Sequence, residues 1–103
     1  MNKKKQEKKE RNKLDKEWKQ QIKLRDVGCV ICGVSERANC HHIISRNIKE
    51  LRHDVMNGIL LCPSHHKWGT FSAHKNGLWF TNWLIEHRNE QYVYLSKFIQ
   101  KFK

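Results

Sequence analysis

The sequence predicts an α+β domain: two short strands and a short helix clasped by a structural zinc, with an N-terminal helix before them and C-terminal helices after. Three observations carry this prediction. Cys29-x-x-Cys32 and Cys62-x-x-His65 are two ligand pairs with the same two-residue gap, able to close one tetrahedral site. "ANCHHIIS" (38–45) and "GILLC" (58–62) are short runs with apolar centres and polar or turn-forming flanks, the pattern of strands. Two segments near the C-terminus place apolar residues at helical spacing.

The elements follow in order. Residues 1–10, "MNKKKQEKKE", have no apolar residue after Met1 and predict a disordered basic arm. A single domain is then expected over 11–103. Leu14, Trp18 and Ile22 recur every four residues, a narrow apolar stripe on a charged helix that Gly28 would stop. "GCVICG" (28–33) is a glycine-flanked knuckle. The two strands bracket a polar stretch, 46–57, that reads as a loop with a helical turn. Pro63 suits the first turn of a helix that Gly69 would end. Over 76–103 a helical extension is expected. "LWFTNWLIEH" would put Phe80, Trp83, Leu84 and His87 on one side, and "YVYLSKFIQKF" would do the same with Tyr92, Leu95, Phe98, Ile99 and Phe102.

Composition bounds the function. With 103 residues, 38% of them hydrophobic, a single small core needs a staple. The net charge is +11, and the first 25 residues hold eleven basic residues against four acids. That balance points to a polyanion, most often nucleic acid. No apolar run is long enough to span a bilayer, and no apolar segment follows the lysine-rich start, so neither a membrane partner nor secretion is expected. A cytoplasmic protein keeps its thiols reduced, which favours metal ligands or buried thiols over disulfides for Cys29, Cys32, Cys40 and Cys62.

Zinc prefers four Cys or His ligands in a tetrahedron. Cys29, Cys32, Cys62 and His65 form the expected set. A compact alternative, Cys29, Cys32, Cys40 and His41, would leave Cys62 and His65 unused. The pair His65–His66 raises a further question, because helical neighbours differ in direction by about 100°. If His65 turns to the thiols, His66 turns elsewhere. His41 and His42 are its candidate partners, and in a strand they should point to opposite faces.

At these residues the chain resembles the HNH endonucleases. "CHHIIS", Asn57 and "LLCPSHH" match their ββα-metal motif over about residues 24–68, including the spacing from Asn57 to the second knuckle. "FSAHKNGLWFTNWL" is similar to the region that follows the motif in small phage-encoded members. The resemblance implies a ββα-metal (HNH) core that hydrolyses DNA phosphodiester bonds by nicking or double-strand cleavage, leaving a 5′-phosphate and a 3′-hydroxyl. It implies His42 as general base, His41 and His66 as ligands of a catalytic divalent ion, and Asn57 as the residue that holds the loop carrying the base. A site with two protein ligands and open coordination would suit Mg²⁺, and imidazole ligands would also take Mn²⁺, Ni²⁺ or Co²⁺. Cys40 lies outside the motif. The resemblance further implies phage packaging or recombination proteins as partners, and a host-cell cytoplasm for a phage-encoded chain.

Substrate affinity is expected from the basic arm, Lys3, Lys4, Lys5, Lys8 and Lys9, and from Arg46 and Arg52 beside the scissile phosphate. His53 and His87 have no evident partner, and His74 is a candidate only for phosphate contact. Two other readings remain open: a non-catalytic, zinc-stapled DNA-binding accessory protein, and an RNA-binding zinc protein.

Overall fold

The structure, a computed structural model, describes residues 2–102; Met1 of the expected arm and Lys103 of the expected domain lie outside the described residues. Its elements are α1 (Lys3–Asp26), β1 (Asn39–His42), α2 (Lys49–Arg52), a 3₁₀ turn (Val55–Asn57), β2 (Gly58–Leu61), a π-helical turn (Ser64–Trp68), α3 (Gly77–His87) and α4 (Asn89–Gln100). The result is an α+β fold, a two-stranded sheet flanked by helices, consistent with a ββα-metal-like core. No described helix is long and apolar enough to cross a membrane.

The expected disordered arm is instead the first half of α1. Asn2 caps the helix by accepting a hydrogen bond from Lys5 N at 2.9 Å. Lys, Gln and Glu lose little side-chain freedom in a helix, so the chain continues the register set by the anchored half. That anchor is Trp18 and Ile22, which are buried while residues 3–13 are exposed. The helix ends at Asp26, two residues before the glycine expected to stop it. Val27 takes the left-handed φ of 67°, and Gly28 N bonds Asp26 O at 2.7 Å, a strained γ-turn. Gly28 is needed elsewhere: a Cβ there would lie 2.6 Å from Gly33 O.

β1 and β2 are antiparallel, with Cys40 opposite Leu60, His41 opposite Ile59 and His42 opposite Gly58. Strand alternation gives the hairpin two working faces. On one, Cys40 and Leu60 pack with Trp18 and Ile22 of α1. Gly58 lets that helix in, since any side chain there would collide with Ile22 and Trp18. On the other face, Ile59 and Leu61 pack with Cys29, Cys62, and Phe80 and Leu84 of α3.

A buried polar joint ties the helices to β2. The Asp26 carboxylate, with 0% of its side chain exposed, accepts from Arg25, Arg88 and Leu60 N. Arg25 also donates to Val55 O and Gly58 O. Gln91 of α4 donates to Met56 O and Gly58 O at 3.0 Å. This joint explains why α4 begins at Asn89, earlier than its apolar pattern suggests. Of the expected α4 stripe only Leu95 is buried, and Ile99 and Phe102 are exposed.

Candidate metal centre and active site

The knuckle at 28–33 is built by Gly33 N bonding Cys29 O at 2.7 Å and Cys29 N bonding Val34 O at 2.9 Å. Val30 N bonds Leu60 O at 3.0 Å and docks the knuckle on β2. Cys62 follows β2 directly, and His65 sits in the π turn over the Trp79 ring. The donor atoms of Cys29, Cys32, Cys62 and His65 all lie within 4.8 Å of one another. Cys29 Sγ is 3.7 Å from His65 Nδ1, Cys32 Sγ is 3.7 Å from Cys62 Sγ, and Cys62 Sγ is 3.3 Å from His65 Nδ1. A zinc tetrahedron with ordinary bond lengths has edges of about 3.5–3.8 Å, so the set fits that ion. Burial opposes ionisation of Cys29, but backbone N–H groups of Cys62, Cys32 and Ile31 outweigh it and lower the thiol pKa. A Cys/His cluster able to coordinate a structural zinc is therefore present.

Cys40 takes no part. Its Sγ lies against Lys19 O on the α1 face, in the core with Trp18, Ile22 and Leu60, and burial raises its pKa. The compact Cys40–His41 alternative fails because strand alternation points the Cys40 thiol to the opposite side of the hairpin from Cys29 and Cys62.

The second cluster consists of His41, His66 and His74, whose ring nitrogens also fall within 4.8 Å of one another. His41 projects from β1 with its ring edge-on to Phe80. His66 Nε2 and His74 Nε2 are 3.1 Å apart, and the His41 ring centroid lies 4.9 Å from that of His66 and 5.1 Å from that of His74. The adjacent pair 65–66 is thus split between the two clusters. Burial drives the pKa of His41 down to about 3, helped by His66, His74 and His42. Burial, then His74 and Lys67, lowers that of His66 to about 4. Neutral imidazoles offer the lone pairs a divalent cation requires.

The sequence reading missed His74 as a member of this cluster. It gets there because the 70–76 loop folds back on the π turn: Ala73 N bonds His65 O at 2.8 Å and His74 N bonds His66 O at 3.0 Å. Buried Ser72 braces the same loop, accepting from Lys75 N and Asn76 N. Nothing in the local sequence announces that return.

His42 does not join the cluster. It lies at the end of β1 on the α1 face, its ring stacked on Trp18 at 4.0 Å between centroids and 7° between planes. Its Nε2–H donates to Arg52 O at 2.9 Å, which leaves Nδ1 as the lone pair of the neutral ring. Burial, the largest influence, keeps its pKa below the ordinary histidine value. Trp18 is itself fixed by Nε1 donating to Asp54 O at 2.8 Å.

Asn57 is fully buried and closes the loop between the strands. Its amide donates to Ile44 O at 2.9 Å and Leu51 O at 3.1 Å, and its Oδ1 accepts from Ile44 N at 2.7 Å. The two loop arginines differ. Arg52 places its fork on Asp15, Nε at 2.9 Å and Nη2 at 2.8 Å, and so is not a free phosphate ligand. His53, expected to lack a partner, sits on the same carboxylate at 2.6 Å. Arg46 is exposed and lines a cleft of about 430 Å³ with Glu7, Arg11, Asn47, Lys49, Arg52 and His53. Lys3, Lys4, Lys5, Lys8 and Lys9 are exposed on α1, and His87 is exposed on α3.

Residues 29–74 match the family model described as HNH endonuclease. The match covers just under half of the chain, contains both clusters, His42 and Asn57, and ends on His74. No curated protein and no solved structure matches the chain. Fold, clusters and family match together are consistent with a metal-binding, HNH-like fold and support a nuclease-family function in general terms.

Proposed function

We propose that the protein is a metal-dependent HNH endonuclease that hydrolyses DNA phosphodiester bonds at the end of β1. The observation that carries this reading is the split of His65 and His66, one toward three thiols and the other toward His41 and His74, inside the matched segment. A thiol-rich cage suits a structural zinc. An all-imidazole trio with no carboxylate suits a borderline divalent ion that stays open to solvent and substrate. Such an ion, held by His41, His66 and His74, would supply Lewis acidity at a phosphate oxygen and the leaving oxygen.

The rest is done by side chains of the chain itself. His42 Nδ1 takes a proton from the water that attacks phosphorus, while the bond from Nε2 to Arg52 O fixes the ring's tautomer and direction. The stack on Trp18 stabilises the imidazolium that forms as the proton arrives. The P–O3′ bond breaks, the leaving oxygen takes a proton from solvent to become a 3′-hydroxyl, the 5′-phosphate departs, and His42 returns its proton to solvent. Asp15 grips Arg52 from α1, and Asn57 grips both ends of the loop, so the carbonyl that holds His42 is fixed from two sides. Arg46, Arg11 and Lys49 supply phosphate contacts in the adjoining cleft.

A plasmid-nicking assay with added Ni²⁺, Co²⁺, Mn²⁺ or Mg²⁺ tests this. The protein nicks DNA. His42→Ala loses cleavage while keeping its zinc content, fold and DNA binding. Undiminished cleavage by that variant would remove His42 from the role of base. DNA binding without cleavage under every ion would leave the non-catalytic, zinc-clasped binder.

A further inference from the structure

The back of α1 is charged in a way that a solvated helix does not need. Taking Trp18 as the inward direction and about 100° per residue, Lys5, Lys9, Lys13, Lys16 and Lys23 all fall within about 40° of the outward direction. All five are exposed, and none enters an ion pair among the described residues. The acids of the helix, Glu7, Glu10, Asp15, Glu17 and Asp26, lie at least about 80° from that line. Asp15 and Asp26 are spent on Arg52, His53, Arg25 and Arg88. The outward row from Lys5 to Lys23 is about 27 Å long.

This segregation works against the free helix. Like charges at neighbouring positions of one face repel, whereas acids interleaved with the lysines would have paired with them. Lys3, Lys4 and Lys5 also sit in the first turn, which carries no acid, at the positive end of the helix dipole. An extended anion lying along the row relieves both costs. The row faces away from the His41/His66/His74 cluster, because α1 covers one face of the hairpin and that cluster lies on the other. A straight duplex seated at the cluster cannot also run along the row.

We propose that the outer face of α1 is a second nucleic-acid site, a lysine rail that holds the backbone of a different DNA segment from the one at the cluster. One protein then bridges two segments, or two turns of one bent molecule. The inference rests on reading the cluster face as the first nucleic-acid site, but its test needs no cleavage. The His42→Ala protein, used so that the DNA stays intact, is loaded on an immobilised short duplex and challenged with a second, fluorescent duplex.

The expected result is retention of the second duplex. Changing Lys13, Lys16 and Lys23 to Gln together abolishes that retention and leaves capture on the first duplex in place. Measured on the parent, the second event carries about 2–3 of log–log salt slope from these three phosphate contacts. A control that neutralises Lys67, Lys75 and Lys97 instead keeps the second duplex. The bridge is refuted if the His42→Ala protein retains no second duplex, or if the rail variant retains it undiminished. It is refuted equally if the control loses it as fully, which would make the effect generic charge. Loss of the first duplex in the rail variant would make the rail the sole site and refute it too. A nuclease reading that fails by plasmid nicking leaves each of these outcomes readable.

Discussion

At the scale of single residues, the second cluster rests on three imidazoles, those of His41, His66 and His74. Two neighbouring side chains on a helical turn cannot aim at one ion, so the division of His65 from His66 follows from backbone geometry alone. His74 depends on where a loop returns, which local pattern does not encode. Its presence changes the expected metal. Two ligands left room for Mg²⁺, whereas three imidazoles favour ions higher in the Irving–Williams order. The metal-stripped trio, with zinc retained in the thiol cage, should bind Ni²⁺ or Co²⁺ more tightly than Mg²⁺ by calorimetry. His74→Ala should weaken that binding by about 10–100-fold, the size of effect seen even when only a ligand's supporting partner is removed. Equal affinity in the variant would return His74 to the surface. Trp18 was legible as a core residue but not as the platform under His42, since stacking needs the helix's crossing point on the hairpin. Trp18→Phe should keep the stack and lose the bond to Asp54 O, and so spare activity far more than Trp18→Ala.

At the scale of elements, both strands, the short helical turn after Pro63 and both C-terminal helices were visible from period and punctuation. The errors came where tertiary contacts override local pattern. The arm is helical because it extends an anchored helix, and α4 starts early because Gln91 and Arg88 reach back to β2 and α1. The joint at Asp26 makes a sharp prediction. Asp26→Ala should cost stability toward the lower end of about 3–5 kcal/mol, because its two arginines keep part of their guanidinium in water. Its pH dependence follows. Burial alone would raise the Asp26 pKa, but Arg25 and Arg88 outweigh it and lower it, and the Arg52 fork, aided by His53, holds Asp15 well below the usual carboxylate range. Both groups therefore contribute fully above about pH 4, the unfolded value, and lose that contribution as acid passes through the lower folded values. Urea melts at falling pH should show a shallower acid loss in Asp26→Asn than in the parent; the loss of zinc in acid is common to both and cancels in the difference.

At the scale of the whole molecule, the core is two thin layers on either side of a two-stranded sheet, and Cys29 and Cys62 are part of the layer on the α3 side. Removing the zinc would place unpaired ligand charge inside that layer. Cys62→Ser should therefore lose zinc and cooperative folding together, since the binding energy of structural zinc is folding energy. Cys40→Ser, in the other layer and away from the cage, should keep its zinc. The ratio of bound zinc to protein, read beside a thermal melt, checks both. One further property belongs to the loop that Asn57 closes. Because a single amide ties Ile44 to Leu51 and bonds both, the stretch from Ser45 to Glu50 is a bight of chain gathered by one knot. Residues there can be exchanged, or extra ones let in, without disturbing the histidines on β1 and in the π turn. Under the proposed nuclease function, target preference is thus free to drift at the bight while the proposed hydrolytic residues stay as they are.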